Sequence, residues 1–429
     1  MKQEIKERIE LINKGIEPAG YKKTPVGICH VEWEDFYLKD LYDFYGGLGI
    51  PREKLGNKGI PYLHYGDMHI SEKMYVNLDR DIDKLPKYDK IVAEDKMLLN
   101  GDIVFVDASE DYEGTCKTFV VYNKNKLPFI SGLHTFFGRN KTSLIHIDFQ
   151  KYLTKIPEIK KQIFKYVQGY KVYGISRENL QKVNINLPSY HEQEKIAEIL
   201  DCATRQVELQ KQLVDKLKVQ KKALMQKLLT PQPDWQKLKL KNIINFYNGY
   251  AFKSETYVKN GAFYVITISN VKDDGFVLQE DTSTIEKIPT DIRDYQILRK
   301  GDILISMTGN VGRVCKVECD NCLLNQRVGK IEVKKIFDKD FIFYSLQSYN
   351  FVEKMKLLAQ GAAQDNMSVK DINNYIICLP RNKEIQSKIS NLLSNIDKQI
   401  ELQQKLLKKY KLRQKTMMQL LLTGIVRVC

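Results

Sequence analysis

Three cysteines, Cys315, Cys319 and Cys322, stand at x3 and x2 spacing. Three thiolates so spaced can hold an iron–sulfur cluster and leave one iron open. They fall on an expected strand and turn with no glycine-rich cofactor segment beside them, and the matching stretch of the first half has only Cys116. They read as incidental thiols. DFYGGLG (43–49) carries the glycines of a methyltransferase's cofactor loop, which must join a strand to a helix. Ile50-Pro51-Arg52 follows instead, and the chain has no Pro-Pro for an amino-methylation motif. Asp89 with Glu94-x-Lys96 mimics a metal-dependent nuclease, but the second half has no such triplet over Thr290 to Ile297. No GxxxxGK[ST] occurs, so ATP-driven motion is not encoded. All six histidines precede residue 192, which confines any histidine chemistry to the first half. The expectation is no catalytic residue and no metal in this chain.

What remains is binding. Lysine and arginine number 68 against 53 acidic residues, a net charge of +15. Such a surplus speaks of polyanionic partners, not of fold. Arginine reads guanine, and Asn or Gln reads adenine, through paired hydrogen bonds in the major groove. In the first half the candidates for DNA contact are Ser109, Tyr112, Lys117, His134, Arg139 and Lys141. In the second half they are Lys253, Asn310, Arg313, Asn325, Gln326 and Arg327.

The elements that must position them are written twice. Trp33, Leu38, Lys39, Phe44, Tyr45 and Gly47 recur 202 residues on as Trp235, Leu240, Lys241, Phe246, Tyr247 and Gly249. Leu98, Gly101, Asp102 and Ile103 recur 200 residues on, and Asp148, Phe149, Tyr152, Leu187 and Pro188 recur 192 on. VELQKQLVDKLKVQKKALMQKLLT aligns with IELQQKLLKKYKLRQKTMMQLLLT at 193. Each repeat opens with β-branched and aromatic runs such as DIVFV and DILIS, which read as strands. A helical segment follows near 149–167 and 341–359.

Each repeat closes on a long helix, 193–229 and 386–422, with apolar residues alternating by four and three. That spacing is a coiled-coil seam. It comprises Ile196, Leu200, Val207, Val214, Leu217, Leu224 and Leu228 in one helix. The other contributes Ile389, Leu393, Ile396, Ile400, Leu407, Tyr410, Met417 and Leu421. Helices of roughly 50–55 Å related by a two-fold axis would run antiparallel. Gln210, Lys221, Gln403 and Gln414 interrupt the seam, and polar seam residues can fix register. The expected register sets Gln210 against Gln414, Lys221 against Gln403 and Val214 against Tyr410. A pseudo-dimer of this kind matches the dyad of B-DNA, where half-sites one turn apart lie about 34 Å apart.

Four stretches carry a family resemblance along essentially the whole chain: GYKKTPVG (20–27) leading into VEWEDFYLKDL, FYNGYAFKSETYVKNGAFYVITISNV (246–271), LPSYHEQEKIAEIL (187–200) and QLLLTGIVRV (419–428). In order, spacing and duplication the chain resembles the specificity subunit of type I restriction-modification systems. The resemblance implies two target recognition domains, each reading half of a split site, and two conserved helices docking methyltransferase subunits. It implies no chemistry in this chain. S-adenosylmethionine, ATP and Mg belong to the partner methyltransferase and restriction subunits. It implies too that the N-terminal segment completes the last repeat, so that LLTGIVRV is continued around Trp33. The second helix start departs, reading Lys383-Glu384-Ile385-Gln386 where the first has His191-Glu192-Gln193-Glu194.

The expected architecture is α+β: two mixed β-rich recognition domains separated by two long antiparallel helices, with an internal pseudo-two-fold repeat. The divisions are 1–32, an N-terminal segment; 33–186 and 233–378, the recognition domains; 187–232, the central helix; and 379–429, the C-terminal helix. The expected partners are duplex DNA, two methyltransferase subunits and restriction subunits. No membrane is expected, because no apolar run approaches the roughly 18 residues of a spanning helix. The charged start and eight cysteines fit a cytoplasmic protein with reduced thiols. The rival readings are a coiled-coil scaffold that does not bind DNA, and a standalone methyltransferase or nuclease. Salt-dependent binding to duplex DNA separates the first rival, and activity without partners the second.

Overall fold

The segments LLNGDIVFV (98–106) and LRKGDILIS (298–306) show how each repeat begins its central sheet. Gly101 and Gly301 take φ of +88° and +85°, a turn open to glycine, before runs of β-branched residues. Asp102 and Asp302 close the turn by accepting the N–H groups of Leu99 (2.8 Å) and Arg299 (2.9 Å). Their carboxylates then meet a base on the neighbouring strand, Arg139 at 2.9 Å and Lys330 at 2.6 Å.

The computed structural model describes residues 3–111, 114–272, 275–277, 282–360 and 366–428. The chain forms two units: 1–209 with 407–429, and 210–406. In the first, a five-stranded sheet runs in the order Tyr42–Gly46, Thr135–Asn140, Ile103–Val106, Thr118–Tyr122, Tyr75–Asn77. In the second, the order is Ile244–Asn248, Val328–Val333, Ile303–Ser306, Val314–Val317, Phe276–Val277. Both sheets are antiparallel except for the last pair, which is parallel. A second sheet of shorter strands, three in the first unit and five in the second, lies beside each, built on the parallel pairs Ile60–Leu63 with Ile130–Ser131, and Phe263–Ile266 with Cys322–Leu324. A two-stranded ladder closes the base of each module, Glu34–Tyr37 on Asn184–Leu187 and Gln236–Lys239 on Ile376–Leu379.

The helical segments of the modules are broken rather than continuous. The first comprises Ile147–Gln150, Leu153–Lys155 and Pro157–Tyr166; the second Lys339–Leu346 and Tyr349–Gln360. Pro157 sits at the first position of its helix, where its missing N–H costs nothing.

The long helices are Tyr190–Leu228 and Lys383–Leu422. Of the seam residues, Ile196, Leu200, Val214, Leu393, Ile396, Ile400 and Leu421 are buried, and the others are partly buried. In the first unit Ile196, Leu200 and Leu421 enter the same core as Trp33, Phe105, Phe149 and Tyr152. In the second, Leu393 joins Ile303, Phe341, Tyr344 and Phe351, with Leu224 and Leu228 packed against them. Each fully buried aliphatic or aromatic side chain here is worth about 1.5–3 kcal/mol.

Within each unit the paired helical stretches run antiparallel, but the expected register is wrong. Gln210 donates to the side chain of Gln403 at 2.7 Å, Gln414 to Thr204 Oγ1 at 2.8 Å, and Lys221 lies 2.7 Å from Asp397. A four-three stripe fixes the buried face and leaves the slide free. The slide is set by complementary chemistry: Lys221 meets a carboxylate one residue outside the stripe, not a glutamine. Gln210 and Gln403 are repeat equivalents, 193 apart, and the other two contacts are equivalent to each other, Thr204 standing in the place of Asp397 and Lys221 in that of Gln414.

Two fasteners join module to helix in both units. Gln193, wholly buried, accepts from the His146 N–H (2.8 Å) and donates to the carbonyls of Leu144 (2.8 Å) and Pro188 (3.0 Å). Gln386 does the same with Asp338 (2.9 Å) and Pro380 (2.7 Å). The departure at the second helix start therefore spares the residue that matters. The other fastener is a tyrosine: Tyr152 donates to Asp201 at 2.6 Å, and Tyr344 to Asp397 at 2.8 Å. Lys151 neutralises Asp201 at 2.7 Å.

The two ends of the chain meet within the first unit. Tyr21 donates to the Gly424 carbonyl at 2.8 Å, Arg8 to that of Ile425 at 2.6 Å, and Arg427 pairs with Glu192 at 2.5 Å. Cys319 and Cys322, expected as free thiols, form a disulfide across a turn in which Asn321 has φ +55°. Cys315 is buried and takes no part in that disulfide.

Candidate nucleic-acid interface

In both units the sheet of shorter strands passes into the central one through three residues. In the first unit, residues 132–134 join Ile130–Ser131 to Thr135–Asn140; in the second, residues 325–327 join Cys322–Leu324 to Val328–Val333. The sheet registers set Gly138 and Ile331 opposite Ile103 and Ile303. Gly132, Leu133 and His134 therefore occupy the places of Asn325, Gln326 and Arg327.

The loops are seated alike. The Leu48 N–H donates to the Ser131 carbonyl, and the Tyr250 N–H to that of Leu324, both at 2.8 Å. The Gly47 and Gly249 backbones lie so close that a Cβ on either would stand 2.0 Å from the carbonyl oxygen of Gly132 or Asn325. Real Cβ atoms do not approach oxygen this closely, so the repeated Phe-Tyr-x-Gly needs its glycine here. The spacing of this glycine was visible in the repeat; its contact was not.

On and beside the second loop lie all six residues expected there. Asn325 Oδ1 accepts from the Arg327 N–H at 3.3 Å, and the Gln326 N–H donates to the Tyr250 carbonyl at 2.8 Å. Gln326 and Arg327 are exposed. Lys253, also exposed, follows Tyr250 on the segment that seats the loop. The Met307 N–H donates to the Arg327 carbonyl at 3.1 Å and draws the 307–313 turn alongside. That turn carries Asn310, exposed, whose carbonyl accepts the Ser306 hydroxyl, and Arg313, half-buried, whose N–H donates to Ser306 Oγ at 3.1 Å.

The first unit is differently furnished. His134 takes φ +58° and sits 3.4 Å from Asp107 and edge-on to Tyr65. Burial pushes the Asp107 carboxyl up, and His134 pulls it back. Tyr65 stacks on His64 and meets His69 edge-on, which gives this face a cluster of rings. Leu133 is 51% exposed. Lys141 lies 3.6 Å from Asp43 at the far end of the strand.

Three residues expected to face DNA are otherwise engaged. Arg139 binds both carboxylate oxygens of Asp102 (3.2 and 2.9 Å) and the Met97 carbonyl (2.6 Å). That carboxylate holds the guanidinium above its usual pKa. Lys117 donates to the carbonyls of His69 (2.8 Å) and Ser71 (2.5 Å); burial, and then the charge of Lys155, lower its pKa. Ser109 is buried on the Ala108–Ser109 strand. Tyr112 lies outside the described residues. The reading from sequence missed Gln193 and Gln386, whose roles depend on neighbours remote in the chain.

Two β-rich modules of one topology, each built onto long helices and each presenting the same loop with different residues, define a duplicated recognition protein. The chain belongs to the type I restriction modification DNA specificity domain family, whose pattern matches residues 30–219 and again 232–411. The type I restriction enzyme MjaVIII specificity subunit of Methanocaldococcus jannaschii is 26% identical over 372 residues, 80% of this chain and 83% of that one. The EcoBI specificity subunit of Escherichia coli is 27% identical over 177 residues, 40% of this chain and 35% of its own. Among solved structures, the type I restriction-modification S subunit from M. genitalium covers 91% of this chain and 96% of its own, with TM-score 0.59 at 16% identity. A chain from a study of complex assembly and conformational transition of the type I R-M system covers 93% of this chain and 99% of its own, with TM-score 0.57 at 14% identity. At those identities the structural likeness is one of fold. No helix among the described residues is long and apolar enough to cross a membrane.

Proposed function

We propose that this chain reads an asymmetric, bipartite site on duplex DNA and directs separate methyltransferase and restriction subunits to it. The observation that carries this is the loop pair: one scaffold position, held by the same glycine contact, with unlike side chains in the two repeats. Unlike readers select unlike half-sites. The net charge of +15 supplies the phosphate attraction that such reading needs. The chain's own part is differential binding, without catalysis. Adenine methylation and translocating cleavage, with their S-adenosylmethionine, ATP and Mg, fall to the partners. That a chain of this fold comes from a study of complex assembly of the type I R-M system supports action alongside other subunits.

The test is a genome-wide adenine methylation map of the source cell with the gene intact and deleted. Loss of one motif made of two unequal blocks around a fixed gap is the expected result. An unchanged map in a cell whose partner subunits are expressed refutes the reading.

A further inference from the structure

The equivalence of residues 132–134 and 325–327 assigns more than two readers; it assigns how each one reads. Both loops emerge from the same junction between the two sheets, and both are pinned at the first residue by a glycine backbone. In both, the middle side chain is exposed, Leu133 in one and Gln326 in the other. The third position is His134 or Arg327. The second-unit loop thus presents an amide and a guanidinium, the groups that make paired hydrogen bonds to adenine and guanine. The first-unit loop presents an isobutyl group and no planar donor–acceptor pair at its tip. An exposed aliphatic side chain in the major groove meets one base feature favourably, the thymine methyl.

We propose that the two half-sites are read by different chemistry: one by hydrogen bonds from Gln326 and Arg327 to purine edges, the other by apolar contact of Leu133 with a thymine methyl. Gly47 and Gly249 act as positioning residues for the two loops. The proposal rests on the reading of this chain as a duplex-DNA specificity subunit.

The test uses the full-length chain in its native complex, with variants introduced at the chromosomal gene. The wild-type methylation map first gives the two blocks. Gln326→Ala and Arg327→Ala are expected to relax one base each in one block, with discrimination there falling roughly 5- to 150-fold, and to leave the other block intact. Arg327→Lys keeps the charge and loses the planar fork, so it too relaxes the base while retaining methylation; this guards against a variant that merely fails to fold. Leu133→Ala is expected to relax one thymine of the opposite block. Gly249→Ala is expected to loosen the same block as Gln326→Ala. The complex is then presented with duplexes of the wild-type site in which that thymidine is replaced by deoxyuridine, which removes only the methyl. Binding by wild type should weaken and binding by Leu133→Ala should not change. A wild-type map without a two-block motif overturns the DNA-specificity reading itself. A normal wild-type map with both blocks unmoved in the loop variants overturns this inference alone, as does wild-type binding indifferent to deoxyuridine.

Discussion

Replacing Lys221 by methionine removes one charge from the inside of the second unit and keeps most of the side-chain volume. Lys221 Nζ lies 2.7 Å from Asp397, and the two side chains are only 15% and 9% exposed. Asp397 would keep the neutral donor Tyr344. Breaking a buried pair on one side costs about 3–5 kcal/mol, and residual solvent access brings the expectation here to about 2–4 kcal/mol. For a unit of this size each kcal/mol lowers Tm by about 2–4 °C, so the transition of that unit should fall by about 6–12 °C at the middle of the range. The first unit supplies the control, because its equivalent pair is Gln414 with Thr204. Transplanting that pair as Lys221→Gln with Asp397→Thr removes both charges together. The double variant should therefore be less damaged than the two single changes summed, with a coupling of at least about 1 kcal/mol. Scanning calorimetry of the full chain reads both quantities. A Lys221→Met shift below about 2 °C, or strictly additive changes, would show that the pair does not hold the register.

Other outcomes follow from the same contacts. Gln193→Leu strands the His146 N–H and two carbonyls in the core and should destabilise the first unit by about 2–4 kcal/mol, read by urea unfolding. Arg427→Met leaves Glu192, 3% exposed, without its cation; the loss should be about 3 kcal/mol, and a second change, Glu192→Gln, should restore part of it. Burial acts to raise the pKa of Asp338, but hydrogen bonds from Ser387 (2.7 Å) and the Phe341 N–H (2.7 Å) outweigh it and leave the carboxyl below its usual value. A depressed carboxylate stabilises above its unfolded pKa and loses that contribution as pH falls through the folded value. Asp338→Asn should therefore flatten the decline of Tm below about pH 4 while lowering the plateau above it.

The strands, the duplication and the buried stripe of each long helix are legible in the sequence because they rest on local periodicity. The slide of one helix on the other is not. Gln210, Lys221, Gln403 and Gln414 mark the seam, but Lys221 meets Asp397, which the stripe omits. Candidate readers divide on similar grounds. Gln326 and Arg327 lie in a loop by sequence and by structure. Arg139 looks equally able to read guanine until sheet pairing brings Asp102 across from it. Leu133 offers no signal to a search for polar side chains. It is distinguished only by sharing a position with Gln326.

The first unit is discontinuous in the chain, and the second is not. On the ribosome this sets an order of events. Residues 210–406 emerge as one stretch and can close as soon as they are complete. Residues 1–209 lack Met417, Met418, Leu421 and Leu422, which pack into the core with Trp33, Phe105 and Leu200. Those side chains are made about 200 residues later. At ordinary translation speeds that is a wait of roughly 10–40 s. Throughout it, the apolar end of the first long helix stands uncovered, so the half made first is the half finished last. A chain stopped before residue 407 would leave that core permanently open, and should appear in the cell as a chaperone client and not as a stable half-protein.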